Sequence, residues 1–174
     1  MPYPRILIVG YGNPLRGDDG FGPRVAGEIA ALHLPDVEVL IRHQLTPELA
    51  EPLSRAALAI FIDAAAGAQE CGADLSSPQG RDSSRPSPNN VAQSRLTCCP
   101  VEVGAGRPGA FTHRADPGGL LWLARELYGA CPEAWTVSAA AADFELGARL
   151  SPDVEAAVAA AVAMILDRVS AANA

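Results

Sequence analysis

Short, continuously apolar runs alternate with amphipathic stretches over the first third of the chain, and this alternation carries most of the predicted fold. Arg5-Ile6-Leu7-Ile8-Val9-Gly10 is apolar almost without a break, rich in β-branched residues and closed by glycine, the pattern of a central parallel strand covered on both faces. After the loop Tyr11 to Gly20, Val25, Ile29 and Leu32 recur at helical spacing in Phe21 to Leu32, with Pro23 near the start, where its missing N–H costs nothing. Val37 to His43 reads as a second strand, and Thr46 as the cap of a second helix with Pro47 at its first position. Leu58-Ala59-Ile60-Phe61-Ile62-Asp63 is a third strand that ends on an acid.

Beyond this the pattern loosens. From Gly67 to about Asn90 the composition turns to Gly, Ser, Pro, Gln and Asn, which predicts a long polar surface loop. Leu96 to Val103 reads as a strand returning to the sheet, followed by a second Gly- and Pro-rich loop, GAGRPGAFTH. Asp116 to Tyr128 is helical, with Asp116 as cap, Pro117 in the first turn and Leu120, Leu121, Leu123, Ala124 and Leu127 forming an apolar side. Ala134 to Ala141 is a fifth strand, and Ser151-Pro152 opens a last helix in which Val154, Ala157, Val158, Ala161, Val162, Ile165, Leu166 and Val169 keep a 3.6-residue period. Five strands and four helices in this order predict an α/β fold: a mostly parallel five-stranded sheet flanked by helices on both faces, a three-layer α/β/α sandwich.

The chain has 174 residues, which fills one domain, 1–174. Its 13 Lys and Arg against 20 Asp and Glu give a formal charge of -7, which opposes nucleic acid and anionic membrane as partners. The apolar runs are far shorter than the ~20 residues of a membrane span. Met-Pro-Tyr-Pro-Arg leads straight into the first strand with no basic segment and long apolar run before it, so a cytoplasmic location is expected. Cys71, Cys98, Cys99 and Cys131 match no zinc spacing, and in a reducing compartment they read as free, space-filling thiols.

In an open α/β sheet, ligands bind outside the carboxyl ends of the strands. Asp19 lies in the loop after the first strand, Asp63 closes the third, and His113 precedes the third helix. Two carboxylates and one neutral imidazole suit nickel, zinc or cadmium better than calcium. Each residue also has a plainer reading. Asp18 or Asp19 can cap the following helix, Asp63 can hold a loop, and His33, His43 and His113 can be structural or solvated, with His43 also placed to assist at the same rim. Arg16 reads as solvated. A dinucleotide site fails in detail, because the third glycine of GxGxxG would fall on Leu15, Asp18 and Asp19 would repel a phosphate, and no GxxxxGK[ST] occurs.

The motif GYGNPLRGDDGFG at 10–22, FIDAAAG at 61–67, FTHRADPGGLL at 111–121 and DFELGARLSPDVEAAV at 143–158 together resemble the hydrogenase maturation proteases, in the family's order. The resemblance implies a phosphorylase/hydrolase-like sandwich and an aspartyl-type endopeptidase. Its partner would be the large-subunit precursor of a nickel-iron hydrogenase, from which it trims a C-terminal extension, acting as a monomer. It implies that Asp19, Asp63 and His113 are the metal-binding and catalytic set, and that they recognise the nickel already loaded in the precursor. No metal cofactor of its own is then expected, though zinc or cadmium can substitute in vitro. Asp19 or Asp63 would be the base for an attacking water. Cys98 and Cys99 have no evident His partner and are not nucleophiles. The departure from the family is a polar insertion at about 68–95. The competing reading is a non-catalytic nickel-binding chaperone or binding module that uses the same three ligands.

Overall fold

The computed structural model describes residues 5–66, 96–104, 116–147 and 149–173. Its sheet has five strands, β1 (Ile6–Tyr11), β2 (Val37–Arg42), β3 (Leu58–Ala66), β4 (Leu96–Pro100) and β5 (Glu133–Ala141), in the order β2-β1-β3-β5-β4. Four strands are parallel, and only β4 runs antiparallel, at the edge beside β5. The helices are α1 (Phe21–Ala31), α2 (Ala50–Arg55), α3 (Pro117–Tyr128) and α4 (Pro152–Ala172).

The period of two along each strand sorts side chains between two layers. Ile6 and Ile8 of β1 and Ile60 and Ile62 of β3 pack with α1 and α4, whereas Leu7, Val9, Ala59 and Phe61 pack with α2 and α3. Phe21 and Phe61 are wholly buried on opposite faces, and each such burial is worth about 1.5–3 kcal/mol. The predicted three-layer sandwich is therefore what forms.

The differences from the sequence reading are local. Asp63 does not end the third strand: β3 continues to Ala66 because β5 stays paired with it as far as Ala141. The fourth strand stops at Pro100 rather than Val103, and Pro100, which has no N–H to donate, is the last residue of the ladder. Pro47–Leu49 forms a turn of 3-10 helix before α2, and the Thr46 side chain caps neither; its hydroxyl bonds Glu48 instead. Cys99 is disulfide-bonded, against the expectation of four free thiols. It sits on the edge strand β4, whereas Cys98 and Cys131 are free as expected, and Cys71 lies outside the described residues. The polar insertion at 68–95 and the segment that carries His113 also lie outside them.

A candidate active site at the carboxyl edge of the sheet

The ladder between β1 and β3 ends at the pair Gly10–Ile62. Past it Tyr11 pairs only with β2 and Asp63 only with β5. The two central strands part here: α1, which follows β1, lies on one face of the sheet, and α2, which leads into β3, lies on the other. This is the switch point at which open α/β sheets hold their ligands. A cleft of about 640 Å³ occupies it, lined by Tyr11 at the end of β1, Asn13, Arg16 and Asp19 from the loop after it, His43 just after β2, Asp63 from β3, Asp116 at the start of α3 and Phe144 after β5.

The loop that carries the two adjacent acids is shaped by close backbone approaches. A Cβ on Gly12, at φ +136°, would run into the carbonyl oxygen of Asp19, and one on Gly22 would meet the carbonyls of Ile62 and Tyr11. Glycine at both positions lets the start of α1 press against the parting strands. Asn13 folds the loop further, accepting at Oδ1 from the N–H of Leu15 (3.0 Å) and, through its own carbonyl, from that of Arg16 (3.0 Å).

The neighbours Asp18 and Asp19 then part company. Asp18 is fully buried and accepts four hydrogen bonds: from the N–H groups of Ala142 (3.1 Å), Asp143 (3.1 Å) and Ser151 (2.7 Å), and from the Ser151 hydroxyl (3.1 Å). Burial alone would raise its pKa, but these donors outweigh it and hold the carboxyl below its ordinary 3.8. Asp19 is half-buried, faces the cleft, and among the described residues accepts one bond, from the Asn13 N–H at 2.9 Å. Neither acid caps α1 with its side chain; Gly20 holds the cap position.

Asp63 is half-buried and receives the N–H of Ala64 at Oδ1 (2.7 Å) and a side-chain hydrogen bond from Tyr11. Burial first, then the charge of Asp63 and that hydrogen bond, then the charge of Asp116, push the Tyr11 phenol far above its usual range. Tyr11 therefore stays a neutral hydroxyl that donates to Asp63. Asp116 caps α3 as expected, accepting from Gly119 N at 2.8 Å, and in addition faces the cleft. His43 is exposed at the rim, where its place at the end of β2 put it, and His33 does not line the cleft, its Nδ1 lying 2.8 Å from the Ala31 carbonyl oxygen.

Two of the three residues singled out from the sequence thus line one cleft, and the third, His113, is outside the described residues. Among the described residues no group of three or more His, Cys, Asp and Glu side chains is gathered closely enough to hold a metal ion. The sequence reading missed Tyr11 and the cleft-facing role of Asp116. The signal for Tyr11 was available: an aromatic hydroxyl between two glycines at the end of a buried strand has little room except over the neighbouring strand's end. Three carboxylates and one guanidinium make the lining acidic, a field that gathers cations.

No family model matches the chain, and no curated protein matches it in sequence. Solved structures do. A hydrogenase 2 maturation peptidase from a Thaumarchaeota archaeon is 26% identical, with a TM-score of 0.57 over 95% of this chain and 97% of that one. The chain has the fold of the hydrogenase maturation proteases. The maturating endopeptidase HybD from E. coli superposes on this maturation-protease fold with a TM-score of 0.63 at 22% identity, covering 95% of this chain and 92% of its own. The [NiFe] hydrogenase maturation protease HycI from Thermococcus kodakarensis KOD1 does so with a TM-score of 0.59 at 21% identity, over 92% and 90%. The resemblance read from the sequence motifs is borne out, and it extends over nearly the whole length of both chains.

Proposed function

We propose that this chain is an endopeptidase that removes a C-terminal extension from the nickel-loaded large-subunit precursor of a nickel-iron hydrogenase. The observation that carries the reading is the pairing of Asp19 and Asp63 in one acidic cleft at the switch point of a maturation-protease fold. Carboxylate oxygens that line a cleft are suited to occupy open coordination positions on a metal that the substrate brings. His113 supplies the third donor in this reading, and zinc or cadmium can stand in for nickel in vitro.

The chemistry asked of the chain is modest. Asp19, with one internal hydrogen bond among the described residues, has lone pairs left for a ligand or for the proton of an attacking water. Tyr11 and the Ala64 N–H fix the orientation of Asp63. Cleavage then depends on nickel having been inserted, because without it the acids of the cleft have no cation to hold. The protein acts in the cytoplasm as a monomer, on a protein substrate, with no nucleic acid or membrane involved; among the described residues no helix is long and apolar enough to cross a membrane.

The test is intact-mass spectrometry of nickel-loaded precursor before and after incubation, beside nickel-free precursor and a His113→Ala enzyme. Loss of a C-terminal peptide only with nickel and with His113 present is the expected result. Binding of nickel-loaded precursor without any loss of mass would mean a chaperone, and cleavage of nickel-free precursor would remove the dependence on the metal.

A further inference from the structure

The loop after β1 and the loop after β5 are stitched together at the lip of the cleft. Arg16 and Leu146 form an isolated antiparallel bridge, and Gly147 donates its N–H to the Leu15 carbonyl at 2.7 Å. Two to three residues further in, the Asp18 N–H bonds the Asp143 carbonyl at 2.8 Å and the Asp18 carboxylate gathers Ala142, Asp143 and Ser151. The result is a short ribbon whose root is buried and whose tip is not. At that tip Leu15 is 64% exposed and Leu146 80% exposed. Bridge partners lie side by side, so Leu146 stands next to Arg16, which lines the cleft together with Asp19 and Asp63. Among the described residues the guanidinium of Arg16 enters no ion pair.

Single exposed leucines are ordinary. Two of them on a ribbon clamped by a buried carboxylate, continuous with an acidic cleft and beside Arg16, whose guanidinium has no ion-pair partner among the described residues, form a pattern with three chemical demands. The leucines need apolar side chains, Arg16 needs a carbonyl or carboxylate acceptor, and the acids need a cation. Resting on the function proposed above, we propose that the ribbon of Leu15, Arg16 and Leu146 is the surface on which the precursor docks. Its occupant is the precursor's chain next to the nickel site, with apolar side chains on the leucines, an acceptor oxygen on Arg16 and the metal toward Asp19 and Asp63. Because the ribbon is held before the partner arrives, little ordering remains to be done on binding.

The experiment compares wild type with Leu15→Ser/Leu146→Ser. Leu127→Ser is the control, since Leu127 is 65% exposed at the end of α3 remote from the cleft. Cleavage kinetics and biolayer interferometry use the same nickel-loaded precursor. The double variant is expected to raise KM and Kd about tenfold and to leave kcat within about twofold, with Leu127→Ser like wild type. KM and Kd within twofold of wild type in the double variant would overturn the docking surface. A wild-type protein that binds without cleaving, with binding lost in the double variant, keeps the docking surface and removes the endopeptidase. A wild-type protein that neither binds nor cleaves removes both.

Discussion

Asp18 and Asp19 are adjacent in sequence and opposite in use. Asp18 is surrounded by donors from the loop after β5 and the start of α4, so its lone pairs are consumed within the fold. Asp19, one residue on, turns into the cleft with a single backbone donor on it among the described residues. A buried carboxylate saturated with N–H groups is a tie between segments; a half-buried one with spare lone pairs is a ligand. The difference lies in which N–H groups are near, and not in the residue type.

The largest effect expected from breaking this contrast is on stability. Asp18→Ala leaves three backbone N–H groups and a hydroxyl without their acceptor and should lower the unfolding free energy by about 3 kcal/mol, read from urea denaturation; a loss below about 1 kcal/mol would mean the tie is dispensable. The pH dependence has a definite sign. The folded pKa of Asp18 is depressed, so its stabilisation is complete above the unfolded value, near 3.9, and is lost as pH falls through the lower folded value. Urea midpoints of wild type and Asp18→Asn should therefore converge below about pH 4, and a gap that stays constant down to pH 2 would contradict the ionised tie.

Asp19→Asn and Asp63→Asn should do the reverse, cutting cleavage of nickel-loaded precursor by about 100-fold or more with urea midpoints nearly unchanged. Gly12→Ala should couple the two regions. Its Cβ meets the Asp19 carbonyl at a φ that side chains rarely adopt, so a cost of about 2 kcal/mol and a parallel loss of cleavage are expected from denaturation and single-turnover assays on the same preparation. Smallest is Tyr11→Phe, which frees one bond to Asp63 and should slow cleavage about fivefold at saturating precursor; an unchanged rate would show that the Ala64 N–H orients Asp63 without help.

The core was legible because the apolar runs of β1 and β3 and the period of α4 are set by burial, which the sequence displays directly. What was not legible depends on partners distant in sequence. Nothing around Asp63 shows that β5 will carry β3 three residues further, nothing in Leu96 to Pro100 gives its antiparallel direction, and nothing in the pair Asp18-Asp19 tells which acid the Ser151 N–H will claim. Asp19 in the loop after the first strand and Asp63 near the carboxyl end of the third pointed to the cleft; Tyr11 could have been added from its place between two glycines, whereas Asp116 joined through packing that only the folded chain brings about.

The Asp18 tie spans 133 residues, from the first loop to the first turn of the last helix. During synthesis, at about 5–20 residues per second, the loop that presents Asp19 is made early and waits for Ser151 to emerge and dock before it can be finished. A nascent or truncated chain that lacks α4 thus carries its acids in an open, unfastened loop. The loop that presents Asp19 is thus translated early, yet its fastening partner belongs to the last helix to be made.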